Sequence, residues 1–327
     1  MRKTVRWGIL GCGNISHMFA EGLKALPNTI LEAVASKTEG KAERLGKIFH
    51  VKSIYDNYEK LVNNSAVDVI YIATTNNFHY ENASLCLNHG KPVLCEKPFT
   101  LNSKQAEELI ETARNNNLFL MEAMWSRFLP CILKLNEYLD KKILGKIQHF
   151  RADFGIKQEF NPKERSFNPE LGGGALLDLG IYPISFASMI YKETPYKVRS
   201  SAYIGETGVD EKSCYLFEYK KGQTAMLSAS NRMIMPHEAF IFGTKGYIGI
   251  PNFYHPSKFI LKLEGKLKKT IKVPFKYPGY NYEAMEVNNC LITGKLESET
   301  MPLNETLEIM KTMDTLRSQW NFKYPGE

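Results

Sequence analysis

Residues 5–16 read V-R-W-G-I-L-G-C-G-N-I-S, and this stretch decides the fold. Residues 5–10 are short, mostly apolar and free of proline, the pattern of a buried strand. Gly11 and Gly13 follow at once. Residues 14–26 then repeat apolar side chains at helical spacing through Ile15, Met18, Phe19, Leu23 and Leu26. A strand, a glycine turn and a helix, in that order, give a G-x-G-x-x-[GAS] match its meaning. Gly11 permits the tight turn, and Gly13 lacks the Cβ that would block a pyrophosphate. Asn14 and Ile15 open the helix, whose first N–H groups have no partner within it and attract an anion. Ser16 takes the third small position, so close helix–strand packing is expected to survive. The reading is dinucleotide binding; an ordinary strand–helix turn is the alternative.

Outward from this unit, strands and helices keep alternating. Strands are expected at 30–35, 67–73 (V-D-V-I-Y-I-A), 92–95 and 118–121, and helices at 39–49, 80–88 and 103–115. Asn102 or Ser103 caps the last of these. Such a rhythm implies right-handed crossovers and a parallel, doubly wound sheet. After about residue 125 the pattern changes. A helix at 127–140 leads into strands at 147–155, 200–204, 214–219, 224–230, 238–242 and 247–250, with Lys220-Lys221-Gly222 as a hairpin turn. Strands that follow one another without helices suit an antiparallel sheet. Helices are expected at 174–191, 282–293 and 303–320. The architecture is thus an α/β nucleotide-binding domain, residues 1–122, followed by an α+β domain, residues 123–327, whose C-terminal helix is free to pack back on the first.

Composition agrees. A chain of 327 residues suits two domains of about 150 residues each. The net charge of +7 is scattered rather than clustered, which favours a phosphate-bearing cofactor but not nucleic acid. The six cysteines form no C-x-x-C pair, so a reducing, cytoplasmic compartment without disulfides is expected. The first strand begins too early to leave room for a signal peptide. No apolar run reaches the ~18 residues of a membrane span, so no membrane partner is expected. No metal site is read.

Four clusters carry chemistry. At the end of the second strand, a carboxylate would accept the ribose hydroxyls of NAD. This chain has Ser36 and Lys37 there instead. Ser36 can donate to a 2′-phosphate and Lys37 can neutralise it; a plain loop lysine is the alternative. A-T-T-N-N-F-H at 73–79 follows a strand, at the carboxyl edge where such sheets bind ligands, and offers Thr74, Asn76 and His79. Helix capping is the competing role for the last two. C-E-K-P-F at 95–99 places Glu96 and Lys97 at another strand end. Gly172 begins G-G-G-A-L-L-D-L-G-I-Y-P, in which Asp178 and Tyr182 are four residues apart and share a helix face. A carboxylate and a phenol on one face can bind and deprotonate an alcohol; a buried Tyr with a capping Asp is the alternative.

Together, G-x-G-x-x-S at 11–16, E-K-P at 96–98 and G-G-G-x-x-x-D-x-G-x-Y at 172–182 resemble the glucose–fructose oxidoreductase/inositol dehydrogenase (Gfo/Idh/MocA) family over nearly the whole chain. The stretch M-E-A-M-W-S-R-F-L-P at 121–130 resembles more narrowly its dimeric dihydrodiol dehydrogenase and NADP-dependent D-xylose dehydrogenase branch. The resemblance implies a Rossmann domain, an open antiparallel sheet in the second domain, and NAD(P)-dependent oxidation of a sugar, polyol or vicinal diol hydroxyl. Lys97 would be the catalytic lysine and Asp178 the substrate-binding aspartate. Tyr182 stands where most of the family has His, and where the dihydrodiol branch has Tyr. Trp125, Arg127 and Phe154 would join Asp178 in the substrate pocket. Thr75 departs from the proline usual in the A-T-P-N block.

The leading expectation is an NADP-dependent dehydrogenase, with NAD as a weaker cofactor. Tyr182 would take the hydroxyl proton while the charge of Lys97 favours the phenolate. A homodimer or dimer of dimers, packed through the open sheet, is expected. A catalytically silent dinucleotide sensor and a redox-assisted glycosidase are the alternatives.

Overall fold

A computed structural model describes residues 4–327. The opening apolar run forms β1 (Val5–Leu10). It is joined by β2 (Thr29–Ala35), β3 (Ser53–Tyr55), β4 (Val69–Ile72), β5 (Val93–Glu96) and β6 (Leu120–Ala123). The strands lie in the order β3-β2-β1-β4-β5-β6 and every pair is parallel. This is the doubly wound order whose direction reverses beside β1, where ligands bind outside the strands' carboxyl ends. Helices α1 (Asn14–Lys24), α2 (Lys41–Phe49), α3 (Tyr58–Val62), α4 (His79–Asn88) and α5 (Ser103–Asn115) return the chain. Every residue of β4, β5 and β6 is buried, as a sheet covered on both faces requires.

Past α6 (Pro130–Asp140) the chain builds an eight-stranded sheet. Its strands are β7 (Ile147–Gly155), β8 (Lys197–Ile204), β9 (Asp210–Glu218), β10 (Thr224–Ser230), β11 (Ala239–Gly243), β12 (Gly246–Ile250), β13 (Lys258–Leu263) and β14 (Lys269–Lys272). The order is β14-β13-β12-β11-β7-β10-β9-β8, and only the β7–β10 pair is parallel. Burial alternates along the strands. Phe150, Ala152, Phe154, Tyr215, Phe217, Ala225 and Leu227 are buried on one face, under α7 (Ile181–Tyr191). Arg151, Cys214 and Met226 lie on the other face and are exposed. One face of this sheet is therefore open, as the alternating sequence pattern implies.

Two compact units result. The first contains the chain through Phe128 together with Lys276–Leu307; the second contains Leu129–Phe275 and Glu308–Glu327. The division is thus more intertwined than a single cut after residue 122. Helix α8 (Tyr280–Thr293) lies on α1 within the first unit, where Gly22 allows its backbone to come close. The Trp7 indole N–H donates to Asn288 across 3.0 Å, and the Leu120 N–H donates to the Leu296 carbonyl across 3.1 Å. Packing partners so far apart in sequence leave no local mark. Helix α9 (Leu303–Gln319) closes the fold.

The expected helix at 174–191 begins as a π-helical turn, Leu176–Gly180, before α7. The helical run Pro169–Tyr191 is long and apolar enough to cross a membrane by composition, but its apolar window is 89% buried inside the protein, as in a core helix. All six cysteines are free.

Candidate active site

The dinucleotide loop belongs to the first unit. Gly11 has φ +92°, and its N–H donates to the Ala35 carbonyl across 2.9 Å. A Cβ on Gly11 would lie 2.9 Å from the Ala73 carbonyl oxygen, so this position needs glycine twice over. Gly13 differs: a Cβ there would meet nothing within 4 Å. The space it leaves is not filled by protein, which fits a ligand's pyrophosphate. Ser16 is fully buried. Its hydroxyl donates to the Gly11 carbonyl at 2.6 Å and accepts the Gly13 N–H at 3.1 Å. The third small residue is thereby a staple across the loop, and the N–H groups of Asn14 and Ile15 stand at the start of α1. Cys12, between the glycines, is a poor nucleophile, because burial pushes its thiol up to about 12.

At the end of β2, Ser36 is buried and its hydroxyl engages Thr38, accepting its N–H at 3.1 Å. Lys37 is exposed, and its ammonium sits 4.9 Å from the centre of the Tyr58 ring. No carboxylate occupies the 36–38 turn. The side chains present therefore suit a 2′-phosphate better than a bare ribose.

Loop 73–79 and the E-K-P turn are tied together by His79. Its Nδ1 is 2.7 Å from the Pro98 carbonyl and its Nε2 is 3.2 Å from the Thr74 carbonyl. The ring is fully buried, so His79 braces the two loops from inside. Asn76 is buried beside it, while Thr74 accepts the Asn82 side-chain N–H at 3.2 Å. Thr75 has φ −73°, the value a proline ring would impose, so the departure from proline leaves the turn intact. Glu96 is buried, accepts a hydrogen bond from the Tyr71 hydroxyl, and accepts the Lys97 N–H at 3.2 Å. Lys97 is half-buried, at the carboxyl end of β5.

Behind this turn stands Glu283 of α8, which sequence reasoning missed. It is fully buried, both its oxygens lack a hydrogen-bond partner, and burial followed by the charge of Glu96 holds its carboxyl well above the usual carboxylate range. Trp125 stacks on Tyr280, ring centres 5.0 Å apart. Arg127 is 1% exposed and pairs with Glu305 at 2.7 Å. The nearby Glu122 is also fully buried; burial raises its carboxyl to about 7.

In the second unit the G-G-G run serves protein contacts. A Cβ on Gly173 would lie 2.6 Å from the Arg165 carbonyl oxygen. Gly174 has φ +115°, and a Cβ there would crowd an Asp210 carboxylate oxygen. Asp210, raised to about 7 by burial, accepts the Leu176 N–H at 2.8 Å and thereby holds the π turn. Asp178 and Tyr182 are both 6% exposed. Arg165 grips Asp178 with two parallel hydrogen bonds of 3.1 and 2.9 Å. The Tyr182 ring meets Phe154 edge-on at 5.2 Å, and Phe154 stacks on Tyr254 at 4.4 Å. Asp178, Tyr182 and Phe154 are thus brought into one unit. Arg165, Tyr254 and Glu283 had no motif to announce them. Among the described residues, no group of three or more His, Cys, Asp or Glu could hold a metal ion.

Two family models match the chain. The NAD-binding Rossmann-fold model of the Gfo/Idh/MocA oxidoreductases covers residues 5–124, and a Gfo/Idh/MocA C-terminal domain model covers 132–249. The chain is 36% identical to a trans-1,2-dihydrobenzene-1,2-diol dehydrogenase of Xenopus tropicalis, over 98% of this chain and 100% of that one. It is 33% identical to an NADP⁺ D-xylose 1-dehydrogenase of Hypocrea jecorina, over 98% and 93%. Among solved structures, a 3-ketoreductase from Actinomadura kijaniata in complex with NADP and TDP-benzene superposes with TM-score 0.86 at 24% identity, covering 97% of this chain and 98% of that one. An aldose–aldose oxidoreductase from Caulobacter crescentus complexed with glycerol superposes with TM-score 0.88 at 21% identity, over 96% of each. These two show the shared fold.

Proposed function

The chain belongs to the Gfo/Idh/MocA oxidoreductase family, and from that membership we propose that it is an NADP-dependent dehydrogenase of vicinal diols, sugars or polyols. The observation that carries the reading is the retention of Lys97, Asp178 and Tyr182 in a chain that also keeps an open cradle at Gly13. Gly11, Gly13, Asn14 and Ile15 would hold the pyrophosphate, and Ser36 and Lys37 the 2′-phosphate. Thr74, Asn76, His79 and Glu96 would shape the loops around the nicotinamide end. When bound, the nicotinamide supplies hydride exchange at its C4.

The chain's own groups handle the proton. Asp178 would accept a hydrogen bond from one substrate hydroxyl and so orient the reacting carbon. Tyr182 would remove the proton of the reacting hydroxyl as the general base. The ammonium of Lys97 would favour the phenolate and hold the substrate oxygen. Trp125 and Phe154 would present apolar ring faces to the C–H face of the substrate.

The test is a screen of D-xylose, other aldoses, polyols and trans-dihydrodiols with NADP⁺, following the absorbance of the reduced cofactor. Wild type should turn over at least one class, and Lys97→Met and Tyr182→Phe should lose nearly all of it. A Lys97→Met protein with full turnover would sink the assignment.

The open sheet face, where Met226 is 54% exposed beside Met235 and Pro236, is a candidate seat for a second copy. A homodimer or dimer of dimers should appear in light scattering at micromolar concentration; a monomer would contradict it. Six free thiols agree with residence in a reducing, cytoplasmic compartment.

A further inference from the structure

Asp178 has to present its carboxylate in a fixed direction if it is to orient a hydroxyl. It sits in a π turn, where the backbone is wider than in a regular helix and the α-helical bonding pattern is broken. A two-point partner for its side chain stands thirteen residues earlier in the chain. Arg165 donates from both terminal nitrogens to both Asp178 oxygens, the two-point geometry in which a guanidinium restricts a carboxylate's rotation most.

The backbone that carries Arg165 is itself pinned to the glycine run. The Gly174 N–H donates to the Ser166 carbonyl at 3.0 Å, and the Asn231 side chain donates to the same carbonyl at 3.1 Å. The Gly173 N–H donates to the Asn168 carbonyl at 3.0 Å, and Phe167 is fully buried between these anchors. The Arg165 carbonyl itself packs into the space left by the missing Cβ of Gly173. Both ends of the brace are therefore anchored in one rigid piece of chain.

We propose that Arg165 is the positioning residue for Asp178: its guanidinium keeps that carboxylate in one orientation, ready to accept a substrate hydroxyl. A carboxylate has about four acceptor directions, and a two-point guanidinium grip uses two. The Arg165 side chain is 40% exposed and the Asp178 side chain 9%. The brace thus contributes little to stability, since such a half-exposed pair is screened by water. Its effect falls on substrate binding, and this inference rests on Asp178 meeting the substrate as proposed above.

The experiment compares wild type with Arg165→Met, Arg165→Lys, Asp178→Asn and the Arg165→Met/Asp178→Asn double variant. D-xylose and a trans-dihydrodiol serve as probes with NADP⁺. Arg165→Met should raise KM by about tenfold with a smaller change in kcat and no change in NADP⁺ affinity. Arg165→Lys keeps the charge but loses the second hydrogen bond, and should fall between wild type and Arg165→Met. In the Asp178→Asn background the Arg165 change should add almost nothing. Added guanidinium ion should partly restore Arg165→Met. A lower KM in Arg165→Met would mean that the guanidinium competes with substrate, and would overturn the proposal. A crystal structure of Arg165→Met gives a readout independent of turnover. Asp178 should adopt a different or split side-chain orientation, and an unchanged orientation overturns the brace. Asp178→Asn without kinetic effect instead rejects the functional reading, and the crystal structure of Arg165→Met then decides the brace by itself.

Discussion

The two glycine-rich loops use the same residue for opposite ends. In the first unit Gly13 leaves a space that no protein atom enters. In the second, Gly173 and Gly174 leave spaces that the Arg165 carbonyl and the Asp210 carboxylate fill. One loop leaves its space open; the other fills it with the chain itself. Glycine in a motif announces a close approach, but not the identity of the approaching atoms.

The largest expected effect tests the second loop. Gly174→Ala combines a left-handed backbone with a Cβ driven into Asp210. It should destabilise the protein by about 3 kcal/mol or more, seen as a lower urea midpoint. A midpoint equal to wild type would mean that this loop has room after all.

A second difference lies beneath the loops. Each unit carries a buried carboxyl raised to about 7, Glu122 in the first and Asp210 in the second. In both cases desolvation leads. Such groups keep their protons in the folded chain at a pH where the unfolded chain has released them. Their contribution to stability is therefore fullest below the ordinary carboxylate range, is lost as pH rises toward about 7, and changes no further above it. Glu122→Gln should remove its share of that slope, roughly 3 kcal/mol across the transition. Urea unfolding of wild type and variant across this window reads the difference, and parallel slopes would reject the buried-acid account of Glu122.

The counterpart experiment on the first loop is Gly13→Ala. With nothing within 4 Å of the new Cβ, stability should stay within about 0.5 kcal/mol of wild type. NADP⁺ affinity should nevertheless fall by about tenfold or more, because the methyl group occupies the approach of the pyrophosphate. Fluorescence titration of the reduced cofactor measures it. If Gly13→Ala loses stability but keeps affinity, the contrast between the loops is reversed.

The smallest effect sharpens which cofactor the first unit prefers. Lys37→Ala should weaken NADP binding by about tenfold and leave NAD nearly unchanged, since only the former has a 2′-phosphate for the ammonium. Ser36→Asp should reverse the preference, by repelling the phosphate and accepting the ribose hydroxyl. A Lys37→Ala loss shared equally by both cofactors would show that the turn after β2 does not read the 2′ position.

Much of this was legible in the residues. The strands at 147–155 and 224–230 were read to the residue, because both alternate cleanly between a buried and an exposed face. β3 and α3 were not read, being only three and five residues long. β13 and β14 were missed too, where Lys258, Lys262, Lys269 and Lys272 obscure the alternation. The π turn was hidden because its apolar pattern is that of any buried helix. The pairing of Arg127 with Glu305, far along the chain, left no mark in the motif around Arg127.

What the sequence alone determined is what local chemistry enforces. The period of apolar residues sets strand or helix, glycine sets the tight turns, and the turn after β2 carries a lysine and no acid. What only the tertiary structure decided is which distant groups complete those local pieces. Glu283 reaches the back of the Glu96 turn because α8 packs on α1 within the first unit. Arg165 reaches Asp178 because the chain between them folds back through three glycines. Such partners are selected by packing between segments remote in sequence. Their side chains carry no periodicity or motif that a linear reading can detect.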